Sequence, residues 1–250
     1  MLKHPRKETS ALVLASNPYG EDSARITLAG SDGVFSRMAN RIYKPNSPLR
    51  PLLMVGSRVS VSYHEVSENL KSASSLKVME DSSPLWTDRK TISFLMFLSE
   101  LSIRLYHYGD VFPVDDVKRI LSSLEKGGDL LSNSLLILGA IYKSLGLKRN
   151  VQECVSCGKK EHICSYSFSE GGFLCNECLK KETQPTSLPP EMDLFVLKFC
   201  FLPLTDTLRN KKVPFENGMR ILSQRTSYLT EYFDLKPLQT FALFQSSLED

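Results

Sequence analysis

Between residues 9 and 80, apolar and polar positions alternate in short runs broken by turn residues. Residues 9–15 form a first apolar run, and in residues 22–29 Ala24, Ile26 and Leu28 alternate with Arg25 and Thr27. A period of two is the mark of a strand with one covered face. Gly30-Ser31-Asp32-Gly33 separates this run from residues 34–40, which predict a third strand. Residues 43–51 carry three prolines, which excludes an internal strand or a helix. Residues 58–66 alternate again, with Val59, Val61 and Tyr63 on one side and Arg58, Ser60, Ser62 and His64 on the other. Residues 70–80 supply a fifth strand. Five short strands in about 80 residues predict a small β-barrel of the OB-fold type. An SH3-like barrel satisfies the same pattern.

After Asp81-Ser82-Ser83-Pro84 the period lengthens to that of helices. Thr87 or Asp88 can cap a helix over residues 89–106. Pro113 and Asp115 open a second, in which Val117, Ile120, Leu121 and Leu124 share a face before Gly127-Gly128 ends it. Asp129 can cap a third over residues 130–145, apolar on most sides and closed by Gly146. Further helices are predicted from Leu188-Pro189-Pro190 to about Phe201, around Met219–Phe233, and over residues 237–248, with Leu238, Phe241, Phe244 and Leu248 as the last stripe. The expected architecture is α+β: an OB-fold-like barrel over residues 1–82, then an α-helical domain over 83–250 with an insert at 153–179.

Composition supports a folded, soluble chain. Of 250 residues, 42% are hydrophobic and 24% charged. The longest apolar run, residues 135–142, is far short of the roughly 20 needed to span a bilayer, and no signal-peptide core follows Met1, so a cytoplasmic protein is expected. The net charge of +3 hides an uneven distribution. Residues 1–80 hold 11 basic and 7 acidic side chains, whereas the remainder hold 20 and 21. Residues 33–64 contain Arg37, Arg41, Lys44, Arg50 and Arg58 and no acid. Such a stretch suits a polyanion, and it equally describes a solvated face with its counter-charges elsewhere. Phe35 and Tyr43 lie among these cations, the mixture that tracks phosphates and stacks bases. Phe35 reads equally as barrel core, and Arg25 and Arg58 as plain solvent-facing residues.

Five of the six cysteines fall within residues 154–178. Cys154-x2-Cys157 and Cys175-x2-Cys178 are two knuckles, each able to turn two thiolates toward one ion; tetrahedral Zn²⁺ takes two such pairs. A site closed by four sulfurs has no position left for water or substrate, so the expected zinc is structural. His162 and Cys164, between the knuckles, are alternative ligands without a knuckle partner. Cys200 lies in an apolar run and reads as core. No phosphate loop, dinucleotide fingerprint, nucleophile elbow or His-Glu-x-x-His is present, and His4, His64, His107 and His162 are scattered. Binding is therefore expected rather than catalysis.

Several stretches resemble the RecO family of bacterial recombination mediators. Tyr19-Gly20-Glu21-Asp22-Ser23 is similar to the family's turn after the first strand, with its last two residues exchanged. Residues 35–49, from Phe35-Ser36-Arg37 to Asn46-Ser47-Pro48-Leu49, are similar to its basic segment, with Asn40 where a glycine is usual. Cys154-x2-Cys157-Gly158 through Gly171-Gly172-Phe173-Leu174-Cys175-x2-Cys178 is similar to its zinc module, and Leu235-Lys236-Pro237-Leu238 to a stretch near its C-terminus. The resemblance implies a non-enzymatic DNA-repair protein that binds single- and double-stranded DNA and anneals strands coated by single-strand-binding protein. It implies that RecA is loaded with the help of RecR, and that the helical domain holds the acidic tail of single-strand-binding protein. Arg220, Arg225 and Lys236 are basic residues available to such a tail. Competing readings are a zinc-containing OB-fold RNA-binding module and a zinc enzyme with an open site at His162 or Cys164.

Overall fold

The computed structural model describes residues 6–67, 70–107, 110–147, 150–167, 170–181, 191–202, 204 and 211–249. The chain is mixed α+β and divides into two compact units, one comprising Met1–Leu121 with Phe233–Asp250, the other Ser122–Tyr232. Among the described residues no helix is long and apolar enough to cross a membrane.

The first unit is built on β1 (Arg6–Tyr19), β2 (Ser23–Gly30), β3 (Gly33–Ala39), β4 (Arg58–Ser67) and β5 (Leu70–Glu80). They form one antiparallel sheet in the order β3-β2-β1-β4-β5. Alternation puts Ala11, Val13, Ala24, Ile26, Leu28, Phe35, Val59 and Val61 on a common apolar face. β1 runs longer than its apolar core predicts because it pairs on both sides, with β2 along one part and β4 along another. A register shift between Val13 and Ala15 bends it. The expected outward face of β4 differs from prediction: Ser60 and Ser62 are buried, not solvated. Their hydroxyls are satisfied within the sheet, Ser60 by Glu8 and Ser62 by Ser75 at 2.7 Å. The side chains of Tyr63 and His64 lie outside the described residues.

The proline-rich connection folds as successive turns into a 3₁₀ turn at Arg50–Leu53. Ile42 and Leu52, both fully buried, pin it to the core. Asp88 starts α1 (Arg89–Leu105) by accepting from the amides of Lys90 and Thr91 at 2.9 and 3.2 Å, a cap worth about 1 kcal/mol. α1 rests on β1, where Ser99 donates to the carbonyl of Leu14. α2 spans Val114–Glu125.

In the second unit, α3 (Leu130–Ser144) is capped by Asp129, and every residue from Leu131 to Tyr142 is buried. Each fully buried leucine or isoleucine there contributes about 1.5–3 kcal/mol relative to exposure. The cysteine segment forms β6 (Asn150–Cys154), β7 (Ile163–Ser167) and β8 (Gly172–Cys175), in the order β6-β8-β7, followed by the single-turn α4 (Asn176–Leu179). α5 (Glu191–Cys200) and α6 (Phe215–Tyr232) follow. Residues 188–190, the expected opening of α5, lie outside the described residues. α7 (Gln239–Glu249) returns to the first unit and packs antiparallel on α1. Phe244 lies 5.4 Å from Phe94 and 5.7 Å from Phe97, ring to ring. Glu100 of α1 accepts from the amide of Thr240 at 2.9 Å, closing the start of α7. Arg104 donates to the carbonyl of Lys236 at 2.7 Å, fixing the 235–238 stretch.

Candidate nucleic-acid interface and metal centre

Antiparallel register decides which basic side chains share a face, since residues directly opposite project to the same side. Arg25 stands opposite Asn17 on β1 and Met38 on β3. All three are exposed, and Tyr19, two residues beyond Asn17, is 65% exposed. Arg37 stands opposite Ile26, a core residue, and so leaves β3 on the other face. Its guanidinium lies 4.9 Å over the ring of Phe35. Phe35 itself belongs to the apolar core, which settles its role as packing rather than base stacking.

The chain after β3 stays at the same end of the sheet. Tyr43 donates its amide to the carbonyl of Asp22, Ser23 reaches Asn40, and the Lys44 ammonium sits 4.0 Å from the Asp22 carboxylate. Arg41 turns the chain in the left-handed region (φ 59°), and Arg41, Tyr43, Lys44 and Arg50 are exposed. Arg50 is anchored through the carbonyl of Pro45 at 3.3 Å. The other end of the hairpin is covered by the chain after α1, through Val34 N to His107 O and Phe112 N to Gly30 O. Arg25, Arg37, Arg41 and Lys44 therefore collect around the β1–β2 turn, with Arg50 on the connection that leaves it. Arg58 stands apart: it binds Glu80 at 2.5 Å, and Lys118 shares that carboxylate at 3.0 Å. Sequence reasoning missed Asn17, Tyr19 and Met38 as neighbours of Arg25. The available signal was the period of two from Asn17 to Tyr19, on a strand read as ending at residue 15.

In the second unit the two knuckles converge. The Sγ atoms of Cys154, Cys157, Cys175 and Cys178 all lie within 4.8 Å of one another. Cys157 and Cys175 are 3.7 Å apart, against an edge of about 3.8 Å for a tetrahedron of 2.3 Å metal–sulfur bonds. Gly158 takes φ 75°, and its amide donates to the carbonyl of Cys154 at 2.8 Å, closing the first knuckle. Burial alone raises the Cys154 pKa, but the amides of Cys175, Cys157 and Ser156 outweigh it and bring the thiol down to about 6. The amide of Cys178 likewise lowers Cys175. Cys178, donating to Cys157, is pushed up to about 12. The four thiols thus divide, with thiolate favoured at Cys154 and Cys175 and resisted at Cys157 and Cys178, and a divalent cation offsets half of the charge when all four ionise. The residues present fit a four-sulfur metal site. Neither alternative ligand joins it. Cys164 turns toward the carbonyl of Leu174 at 3.8 Å, and exposed His162 takes φ 55° with its carbonyl accepting from Asn176.

The basic residues expected to meet an acidic tail are placed unevenly. Arg220 binds Asp193 at 2.9 Å, and Lys236 is exposed. Arg225 is 1% exposed, its guanidinium 4.7 Å from the ring of Tyr166, 5.0 Å from Phe201 and 5.2 Å from Tyr142. Burial removes it from any surface contact.

Comparison with known proteins gives a consistent result. The family model described as recombination protein O C terminal matches residues 87–240. A protein named DNA repair protein RecO from Bacillus pumilus is 22% identical over 204 residues, covering 79% of this chain and 78% of the relative. One of the same name from Oceanobacillus iheyensis is 19% identical over 233 residues, 91% of this chain and 87% of the relative. A third, from Syntrophomonas wolfei, is 24% identical over 187 residues, 72% and 73% respectively. With more than half its length matched by that family model, the chain belongs to the recombination protein O (RecO) family.

Proposed function

We propose that this protein is a DNA-binding mediator of recombinational repair that brings complementary strands together without making or breaking covalent bonds. The observation that carries the reading is the gathering of Arg25, Arg37, Arg41 and Lys44, with exposed Tyr19 and Tyr43, at one end of the five-stranded sheet. Cations there neutralise phosphates, and rings stack on bases without reading sequence. In this reading the sheet is an OB-fold barrel whose edges, β3 and β5, curl toward each other, helped by the register shifts in β1 and β4–β5. The four-cysteine cluster holds Zn²⁺ as a structural ion, for which an all-sulfur tetrahedral donor set is suited. The ligands are single- and double-stranded DNA. The partners are RecR, the acidic tail of single-strand-binding protein, and RecA indirectly.

Annealing of complementary strands coated by single-strand-binding protein, measured without ATP, tests the activity. Acceleration by the parent protein is expected, and its absence overturns the reading. Reversing the charge of Arg37, Arg41 and Lys44 together should flatten the salt dependence of single-strand binding, the log–log slope falling by about 0.7 for each phosphate no longer neutralised. A triple variant that binds as the parent does at every salt concentration places the interface elsewhere. RNA outcompeting DNA of the same sequence would favour an RNA-binding module.

A further inference from the structure

The β2–β3 hairpin presents cations on both of its faces, and the two faces differ in chemistry. On one lie Tyr19, Asn17, Arg25 and Met38, all exposed, with exposed Ser36 further along and no acid at these strand positions. This surface offers a ring and a thioether for base contact, and a guanidinium and an amide for phosphate and sugar. On the other face Arg37 lies over Phe35. Its Nη1 donates to the carbonyl of Ser36, while its Nε is buried with no acceptor among the described residues. A buried donor without an acceptor calls for an explanation, and an anionic oxygen entering from the sheet end supplies one. Arg41, Lys44 and Arg50 follow directly on exposed turns.

We propose that the two faces are separate sites, so that one chain holds two single strands at once, one against Tyr19 and Arg25 and the other against Arg37 and the 41–50 connection. The inference rests on the DNA-binding reading above and deepens it by assigning the substrate as a pair of strands. The geometry permits double occupancy. The face of Arg37 carries the buried core of Ile26, Leu28 and Phe35, so the second strand meets Arg37 at the rim of that face and continues along the 41–50 connection, on the order of 10 Å from the first across the sheet. That is comparable to the Debye length of about 8 Å at physiological salt, so their mutual repulsion is largely screened. Both strands converge on the β1–β2 turn, where bases left unread by either face can pair.

Native mass spectrometry of the full chain with two non-complementary oligonucleotides of different mass tests this, because it counts strands per chain whatever the oligomeric state. Strands of about 16 nucleotides suit one barrel. Two strands per chain are expected at saturation. Combining Tyr19→Ala with Arg25→Glu should remove one strand and leave the other, and Arg37→Glu should do the converse. The milder Arg37→Gln, which keeps a polar side chain over Phe35, should weaken one of the two binding steps by roughly tenfold, as removal of a charge-assisted hydrogen bond implies. Saturation of the parent at one strand per chain overturns the two-site assignment while leaving DNA binding intact. So do face variants that lower affinity without changing the strand count. A parent that binds no strand refutes the DNA-binding reading itself.

Discussion

Replacing Gly139 by alanine sets two effects of opposite sign against each other. In an isolated helix the change stabilises by about 1 kcal/mol, because alanine gives up less backbone entropy than glycine. In this protein α3 crosses the end of α5 at that residue. A Cβ on Gly139 falls 1.8 Å from the carbonyl oxygen of Cys200 and 2.9 Å from its carbonyl carbon. The closest comfortable carbon–oxygen approach is about 3.3 Å, so the two backbones must part by about 1.5 Å. Overpacking of this kind costs about 1–3 kcal/mol when side chains can yield, and more when, as here, the obstacle is backbone. Taking about 3 kcal/mol and subtracting the propensity gain leaves a net loss of about 2 kcal/mol. At about 2–4 °C per kcal/mol for a chain of this size, the melting temperature falls by roughly 4–8 °C. Thermal unfolding followed by near-ultraviolet circular dichroism measures this on the full chain. A Gly139→Ala variant melting at or above the parent shows that propensity wins and that the two backbones are not in contact.

Three other outcomes are expected. Burial raises the Glu100 carboxyl pKa, but its hydrogen bonds from Thr240 more than offset this and hold it below the ordinary 4.5. Because its folded pKa lies below the unfolded one, its contribution is present above about pH 4.5 and is lost as the pH falls through the folded value; Glu100→Gln should therefore lower the urea midpoint more at pH 7 than at pH 3. Asp193 is buried and accepts from Arg220 Nε at 2.9 Å and Asn217 Nδ2 at 2.6 Å; Asp193→Ala should cost about 1–3 kcal/mol in urea unfolding, the Arg220 share being discounted because its side chain is 45% exposed. Removing the metal with a strong chelator should release one equivalent per chain, make the four cluster thiols titratable and lower the melting temperature, whereas a full complement of reactive thiols before chelation counts against the site.

Local order was legible in the chain and long-range register was not. The knuckles could be read because ligand spacing within each is a matter of a few residues. Asp88 and Asp129 could be read as caps because a cap acts on amides two or three positions away. The face on which Arg37 sits could not, since it follows from pairing with Ile26 across the hairpin. Nor could the burial of Ser60 and Ser62, whose partners Glu8 and Ser75 lie on neighbouring strands. Arg58 read as a solvent-facing cation until Glu80 and Lys118 came beside it. Arg225 misled most. It occupies a core position of α6 between Leu222 and Leu229, but the rings that receive it come from α3, β7 and the end of α5.

That ring enclosure has a consequence for how the second unit assembles. A guanidinium gives up its water only once its new surroundings are complete. Tyr142 and Phe201 arrive with helices, whereas Tyr166 arrives on β7, which pairs with the strand carrying Cys175. The Tyr142 hydroxyl also donates to the Arg225 carbonyl at 2.9 Å, so the same tyrosine grips both ends of that residue. α6 therefore cannot dock fully until the cysteine-bearing strands are in place. The four-cysteine module and the helices are expected to gain their protection from hydrogen exchange together, as one cooperative unit rather than as a finger added to a finished bundle.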